Sequence, residues 1–218
     1  MLRRSIVVLI WAGLVLGTII YFQGINLNLP DRNRGFAPKQ PIAFSHRVHS
    51  GDLGIDCQFC HTGAERTRMA LIPDAGTCMN CHRFITAARP KLALSRVAEE
   101  EPSGGADARV SPELQKLYQA VGFDPRTGRY DPQGEGEPIR WVRVHQLPDH
   151  VVFDHRRHVN AGVDCRQCHG AVETMEVVRQ VEDLSMGWCV NCHRDANQGR
   201  ISGLIDVQAT TDCSACHY

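Results

Sequence analysis

The sequence has no excess charge of either sign: Lys plus Arg number 24, and Asp plus Glu number 24. A chain so balanced offers no basic footprint for nucleic acid and no field that would steer an acidic substrate. Aliphatic core is scarce as well. Apolar residues make up 43%, but a good part of them sits in one N-terminal run, and the small, interrupted remainder buries little surface on its own. There is also no spare cysteine: all ten fall in C-x-x-C pairs, each followed directly by His, so none is left over for a disulfide. Nothing marks a quinone pocket, and no motif supports a storage or adhesion role.

What is present is that motif, repeated as Cys57/Cys60/His61, Cys78/Cys81/His82, Cys165/Cys168/His169, Cys189/Cys192/His193 and Cys213/Cys216/His217. In a C-x-x-C-H run two thiols form thioether bonds to the haem vinyl groups while the adjacent imidazole reaches the iron as proximal ligand. C-x-x-C alone also serves as a zinc half-site or a redox dithiol. His in the same place all five times, in a chain whose start directs export, selects haem instead. Five covalently bound c-type haems are expected, with His61, His82, His169, His193 and His217 proximal. They would supply the core that the polypeptide lacks.

Of the eleven histidines, His46, His49, His145, His150, His155 and His158 are left for five irons. Six candidates for five places predict bis-histidine, low-spin coordination. The H-x-x-H pairs His46/His49 and His155/His158 project from one face of a helical turn, so each pair can serve two haems. His145 is expected to complete the distal set from an apolar strand, ahead of His150 in the turn-like LPDH. Met186 and Met175 are the thioether alternatives, and gap-filling against a porphyrin is their expected role.

Arg3 and Arg4 precede an uncharged run from Ser5 to Phe22, roughly 27 Å long as a helix and close to the hydrocarbon thickness of a bilayer. A cleaved signal peptide starts in the same way, but QGINLNLP has no A-x-A-like cleavage site. The run is therefore expected to be a single-pass anchor in a bacterial cytoplasmic membrane. The basic residues place the N-terminus in the cytoplasm and everything after Gln23 on the outer, periplasmic face. Gly13 and Gly17 form a small-x-x-x-small pair that would admit a second helix.

Phe44 to His61 reads FSHRVHSGDLGIDCQFCH, and Phe153 to His169 reads FDHRRHVNAGVDCRQCH, one residue shorter. Each leader is followed by a second site, CMNCHR or CVNCHR, and the second copy adds a third site at the C-terminus. The expected divisions are an anchor (1–23), a two-haem module (24–97), a haem-free insert (98–140) and a three-haem module (141–218). Within the insert, Ser111 as N-cap, Pro112 at the first position and Gly122 as a left-handed cap predict a helix over ELQKLYQAV. FDPRTGRYDPQGEGEP reads as an ordered loop or partner-contact arm, and Ile139 to His145 as a short strand. The fold class is a multihaem cytochrome c: mostly irregular chain with short α-helices packed on haems, little β, and one N-terminal transmembrane helix.

In the order of these motifs, with PIAFSHRVH, WVRVHQLPD, FDHRRHVNAGVDCRQCHG and LSMGWCVNCHR, the chain resembles the pentahaem membrane-anchored cytochrome c subunit of alternative complex III along its whole length. The resemblance implies a non-catalytic electron relay within a quinol-oxidising membrane complex. An iron-sulfur subunit would donate electrons, and a monohaem cytochrome c, a copper protein or an oxidase would accept them. Two other readings compete with it. One is a freestanding membrane quinol dehydrogenase feeding a periplasmic reductase. The other is a multihaem reductase of nitrogen or sulfur oxyanions, which would need an iron with an open position.

Overall fold

A computed structural model describes residues 2–24, 33–86, 110–131, 136–204 and 206–218. Parts of the interval from Gln23 to Pro30 and of the insert, 98–109 and 132–135, lie outside the described residues. The first helix, α1, runs from Leu2 to Gly24, and its side chains from Ile6 to Leu16 are exposed wherever they are large and apolar. Described side chains in α1 cover 5–18 and 21; among the described residues no helix is long and apolar enough to cross a membrane.

Beyond α1 the chain is short helical turns joined by irregular segments. Among the described residues they include a π-helical turn Arg47–Asp52, α2 (Cys57–Cys60), α3 (Ala75–His82), α4 (Pro112–Val121), α5 (His155–Asn160), α6 (Arg166–His169) and α7 (Met186–Asn197), with 3-10 turns at Val172–Thr174 and Cys213–Ala215. The sheet described is one two-stranded hairpin, β1 (Phe123–Asp124) with β2 (Arg129–Tyr130), closed by Gly128 at φ 68°. The arm after α4 therefore begins as a hairpin. Ile139–His145 is not a strand, because among the described residues no second backbone edge lies beside it. Gln40 supplies a substitute partner: its amide donates to the Val142 carbonyl (2.9 Å) and accepts from the Val142 N–H (2.8 Å).

The apolar core described is small and lies in one place. Met79, Val110, Leu117, Tyr118 and Phe123 form it, with Cys78 and Ile139 packed alongside. Helix α4 forms as its sequence predicts: the Ser111 hydroxyl accepts from Leu114 N–H, and Gly122 ends the helix at φ 65°. The structure adds what the helix faces. Tyr118 donates its hydroxyl to the His82 carbonyl (2.6 Å), and Glu113 accepts from Ala43 N–H (2.7 Å). The insert helix is thus a brace joining the first leader to the second C-x-x-C-H turn.

The two modules hold each other by reciprocal contacts. Arg47 N–H donates to the Met175 carbonyl (3.0 Å), and His155 N–H donates to the Arg68 carbonyl (3.1 Å). Gly51 lies so close to the Glu173 carbonyl that a Cβ there would overlap it, while Asn160 donates to the Glu65 carbonyl at 3.3 Å. Glu65 and Glu173 each stand four residues after a proximal-type histidine.

Candidate haem-binding sites

Each C-x-x-C-H run is a turn with a capped start. Asp56, Asp74, Asp164, Ser185 and Asp212 accept backbone N–H bonds from Gln58, Thr77, Arg166, Trp188 and Ser214, satisfying donors that a helix start leaves unpaired. At three of the runs the histidine N–H closes on the first cysteine: His61 on Cys57 (2.9 Å), His169 on Cys165 (3.0 Å) and His217 on Cys213 (2.9 Å). That closure puts the imidazole on the same side as the thiols. None of the ten cysteines forms a disulfide.

The fifth run differs from the other four, which lie on short α-helices. Cys213–Ala215 is a tighter 3-10 turn, and Cys216 falls just beyond it as the residue that ends the turn, at φ −118° and ψ −16°. Its position is held from outside: the Cys216 carbonyl accepts from Val152 N–H at 2.8 Å, next to the leader residue Phe153. Cys216 is half-buried and Cys213 exposed, so the pair still stands beside His217 as haem attachment requires.

Facing each of these histidines is a second imidazole. His46 lies 6.5 Å from His61 with the planes 3° apart, and His155 lies 6.4 Å from His169 at 8°. His49 faces His82 at 6.0 Å, and His158 faces His193 at 6.0 Å. His150 lies 5.5 Å from His217 at 24°. Two metal–nitrogen bonds of about 2 Å each, with half a ring on either side, call for a centroid spacing of about 6 Å. Among the described residues no three His, Cys, Asp or Glu converge on one point. Two facing imidazole nitrogens per centre suit a six-coordinate, porphyrin-held iron, and large apolar side chains around the runs form a matching surround: Phe59, Leu71, Ile72, Phe84 and Met186 are all exposed. The residues present fit haem.

The leaders also show why Phe opens them. Phe44 stacks on His49 at 4.3 Å and meets His46 edge-on at 4.9 Å. Phe153 does the same to His158 (4.6 Å) and His155 (4.8 Å). One ring thus fixes two imidazoles. Backbone carbonyls fix the tautomer: Nδ1 of His61 donates to Leu71, His82 to Ile85, His193 to Thr210, His49 to Ser45, His155 to Arg68 and His158 to Asp154. With Nδ1 engaged in this way, Nε2 keeps the lone pair that a metal needs. Burial, with His61 and His49 alongside, lowers His46 to about 4. Burial, then the neighbouring His145 and His155, lowers His169 to about 3. Both rings are neutral at physiological pH, the form in which an imidazole can bind a metal.

His145 and His150 stand in the reverse of the order their sequence contexts suggested. His145 meets His169 edge-on at 4.3 Å, with its Nε2 only 3.2 Å from His169 Nδ1, and no iron fits between them. His150, in its turn, stacks on His217, held there by the Val151–His217 bridge and by Tyr218, which donates to the Asp149 carbonyl (2.6 Å). Met175 is buried at the module interface and Met186 is exposed at the start of α7. Sequence reasoning missed the capping aspartates and Gln40. The Asp-Cys dipeptide at residues 56–57, 164–165 and 212–213 was the available signal for the caps; Gln40 carried none.

Sites from different modules adjoin. The Cys57 thiol lies close to Cys165, whose own thiol is raised chiefly by burial, with Cys57 adding to the rise. Cys78 and Cys81 lie near Cys60. Burial pushes Cys168 up to about 12, with Cys192 and Cys189 nearby adding to the rise. Four sites therefore run in one series, 78/81 to 57/60 to 165/168 to 189/192. The fifth, Cys213 and Cys216, is tied to the second leader through backbone, by the Cys216–Val152 bond.

Residues 151–218, with three of the runs, match the family described as cytochrome c7 and related cytochrome c. The chain is also 28% identical, over 131 residues, to the menaquinone reductase multihaem cytochrome c subunit of Nitratidesulfovibrio vulgaris. That similarity covers 60% of this chain and 46% of the relative, so the chain spans about half the length of the curated protein it matches. Residues 151–218 are thus similar to multihaem cytochromes of the c7 kind, a family of covalent c-type haem and electron transfer.

Proposed function

We propose that the chain is a five-haem electron relay, anchored by α1 in a bacterial cytoplasmic membrane with its haem sites on the outer face, as a subunit of a quinol-oxidising assembly of the alternative complex III kind. The observation that carries the relay is the set of five facing imidazole pairs. Bound haem would supply one-electron chemistry at its iron. Cys57/Cys60, Cys78/Cys81, Cys165/Cys168, Cys189/Cys192 and Cys213/Cys216 hold the porphyrin edges. His61, His82, His169, His193 and His217 would bind the iron as the motif histidines, and His46, His49, His155, His158 and His150 would each supply a second imidazole. With two imidazoles at each centre there is no open position for a substrate, which favours a relay over an oxyanion reductase.

The series of adjoining sites supports one path across both modules, because the leaders place an imidazole at two sites each. The uncharged 5–22 run supports the anchor, since its length suits a bilayer. The relative's name supports a quinone-linked complex, with an iron-sulfur subunit as donor and a monohaem cytochrome c, copper protein or oxidase as acceptor. Purification from membranes in mild detergent tests the reading. Pyridine haemochrome should give five haems per chain, and an iron-sulfur subunit should co-migrate. Four haems in matured protein would sink the relay assignment, and a chain released by salt alone would sink the anchor.

A further inference from the structure

We propose that His145 is a positioning residue for the site at Cys165/Cys168, holding the His169 imidazole by accepting its Nδ1–H, and that it is not an iron ligand. The inference rests on the preceding reading, in which His169 binds iron through Nε2. A ring ligated at Nε2 carries its proton on Nδ1, so at 3.2 Å His145 Nε2 is the acceptor. Ligating histidines almost always donate their second nitrogen to such a partner, which fixes ring orientation and raises ligand basicity.

The partner at this site differs in kind from those at three other sites. His61, His82 and His193 each donate Nδ1 to a backbone carbonyl, of Leu71, Ile85 and Thr210. His169 donates to a side chain from a distant segment. That segment is itself built: Gln40 clamps Val142 through both of its polar groups, and Arg143 Nε donates to the His145 carbonyl at 2.8 Å. His155 meanwhile occupies the coordinating position, parallel to His169 at 6.4 Å, whereas His145 sits edge-on at 4.3 Å. The two roles are therefore divided between two histidines. A side-chain acceptor also makes this site adjustable by substitution where a carbonyl would not be.

The test uses the full-length haem-loaded protein and compares wild type with His145→Leu, His145→Gln and His150→Ala. In His145→Leu all five haems should remain covalent, and low-temperature electron paramagnetic resonance should show no new high-spin iron. One midpoint potential should rise, because the ligand has lost basicity. The expected shift is roughly tenfold in that reduction equilibrium, the lower end of what loss of such a partner costs, or about 59 mV for one electron. His145→Gln, which keeps an acceptor, should recover at least half of the shift and carries the test if the leucine variant fails to accumulate. His150→Ala should instead open one iron, producing high-spin signal from one haem in five. New high-spin iron in His145→Leu would make His145 a ligand, and unchanged potentials in both His145 variants would reduce it to packing; either result overturns the proposal. A wild-type count other than five haems would strike the relay reading and not this one.

Discussion

The first leader is one residue longer than the second, yet the two place their imidazoles alike. In the second, His155–Asn160 is an ordinary α-helix, and Val163 N–H closes on the His158 carbonyl at 3.1 Å. In the first, Arg47–Asp52 is a π-helical turn, and Ile55 N–H closes on the His49 carbonyl at 3.0 Å. The extra residue is absorbed in the wider turn, as happens in π-bulges near functional sites. Phe, the two histidines and the closure on the second histidine keep their relations; only the turn between them changes. The modules do differ in how the first histidine is held. His155 donates Nδ1 to Arg68, whereas the buried Nδ1 of His46 has no hydrogen-bond partner among the described residues. What the two copies hold in common is imidazole placement, and backbone geometry yields to it.

The largest expected effect breaks both leaders in the same way. His49→Ala and His158→Ala each remove the imidazole facing a histidine of the following motif, His82 and His193 respectively. Each variant should keep five covalent haems and show one high-spin iron, and added cyanide should bind to it. An iron opened at the leader's own motif, or none at all, would break the assignment of one leader to two sites. Site-resolved resonance Raman or magnetic circular dichroism distinguishes these outcomes.

Disrupting the brace should have the next largest effect, and the brace belongs to the first module alone. Leu117 is 4% exposed in the cluster under the second motif. Leu117→Ala should cost about 2–5 kcal/mol, the range for emptying a buried leucine site. The denaturation midpoint by circular dichroism checks it. Because α4 ties Ala43 to His82, the His49/His82 site should loosen before the His158/His193 site. Equal loss at both would mean that the insert braces the molecule as a whole.

Much of this architecture is legible in the sequence because chemistry fixes it. C-x-x-C-H needs its spacing, and the H-x-x-H leaders need theirs, so the facing of leader and motif histidines and the short turns follow directly. The caps of α4 are equally local, and its boundaries can be read from Ser111, Pro112 and Gly122. What α4 packs against could not be read, since amphipathic spacing reveals a face and not its partner. Ile139–His145 shows the opposite limit: alternation suggested a strand, but a strand needs a neighbouring edge, and a single glutamine took that place. Which ring, His145 or His150, stands opposite a motif histidine could not be read for a related reason. Local apolarity says a ring is sheltered, not which atom it meets.

The smallest expected effects lie at the interface, where Gly51 and Asn160 occupy matching places against matching carbonyls. Gly51→Ala forces a Cβ into the Glu173 carbonyl, which is backbone and yields only if the two modules part. Overpacking of that kind costs about 1–3 kcal/mol. Asn160→Ala removes one exposed hydrogen bond to Glu65, a loss of about 0.5–1 kcal/mol. Both are read as the shift in denaturation midpoint of the haem-loaded protein. The first should also weaken the neighbouring Arg47–Met175 bond, because the same turn carries both contacts, and faster hydrogen exchange at the Arg47 amide would report it. If Asn160→Ala proved the more damaging, the contacts would be asymmetric in energy although symmetric in position. The second leader would then carry the interface alone.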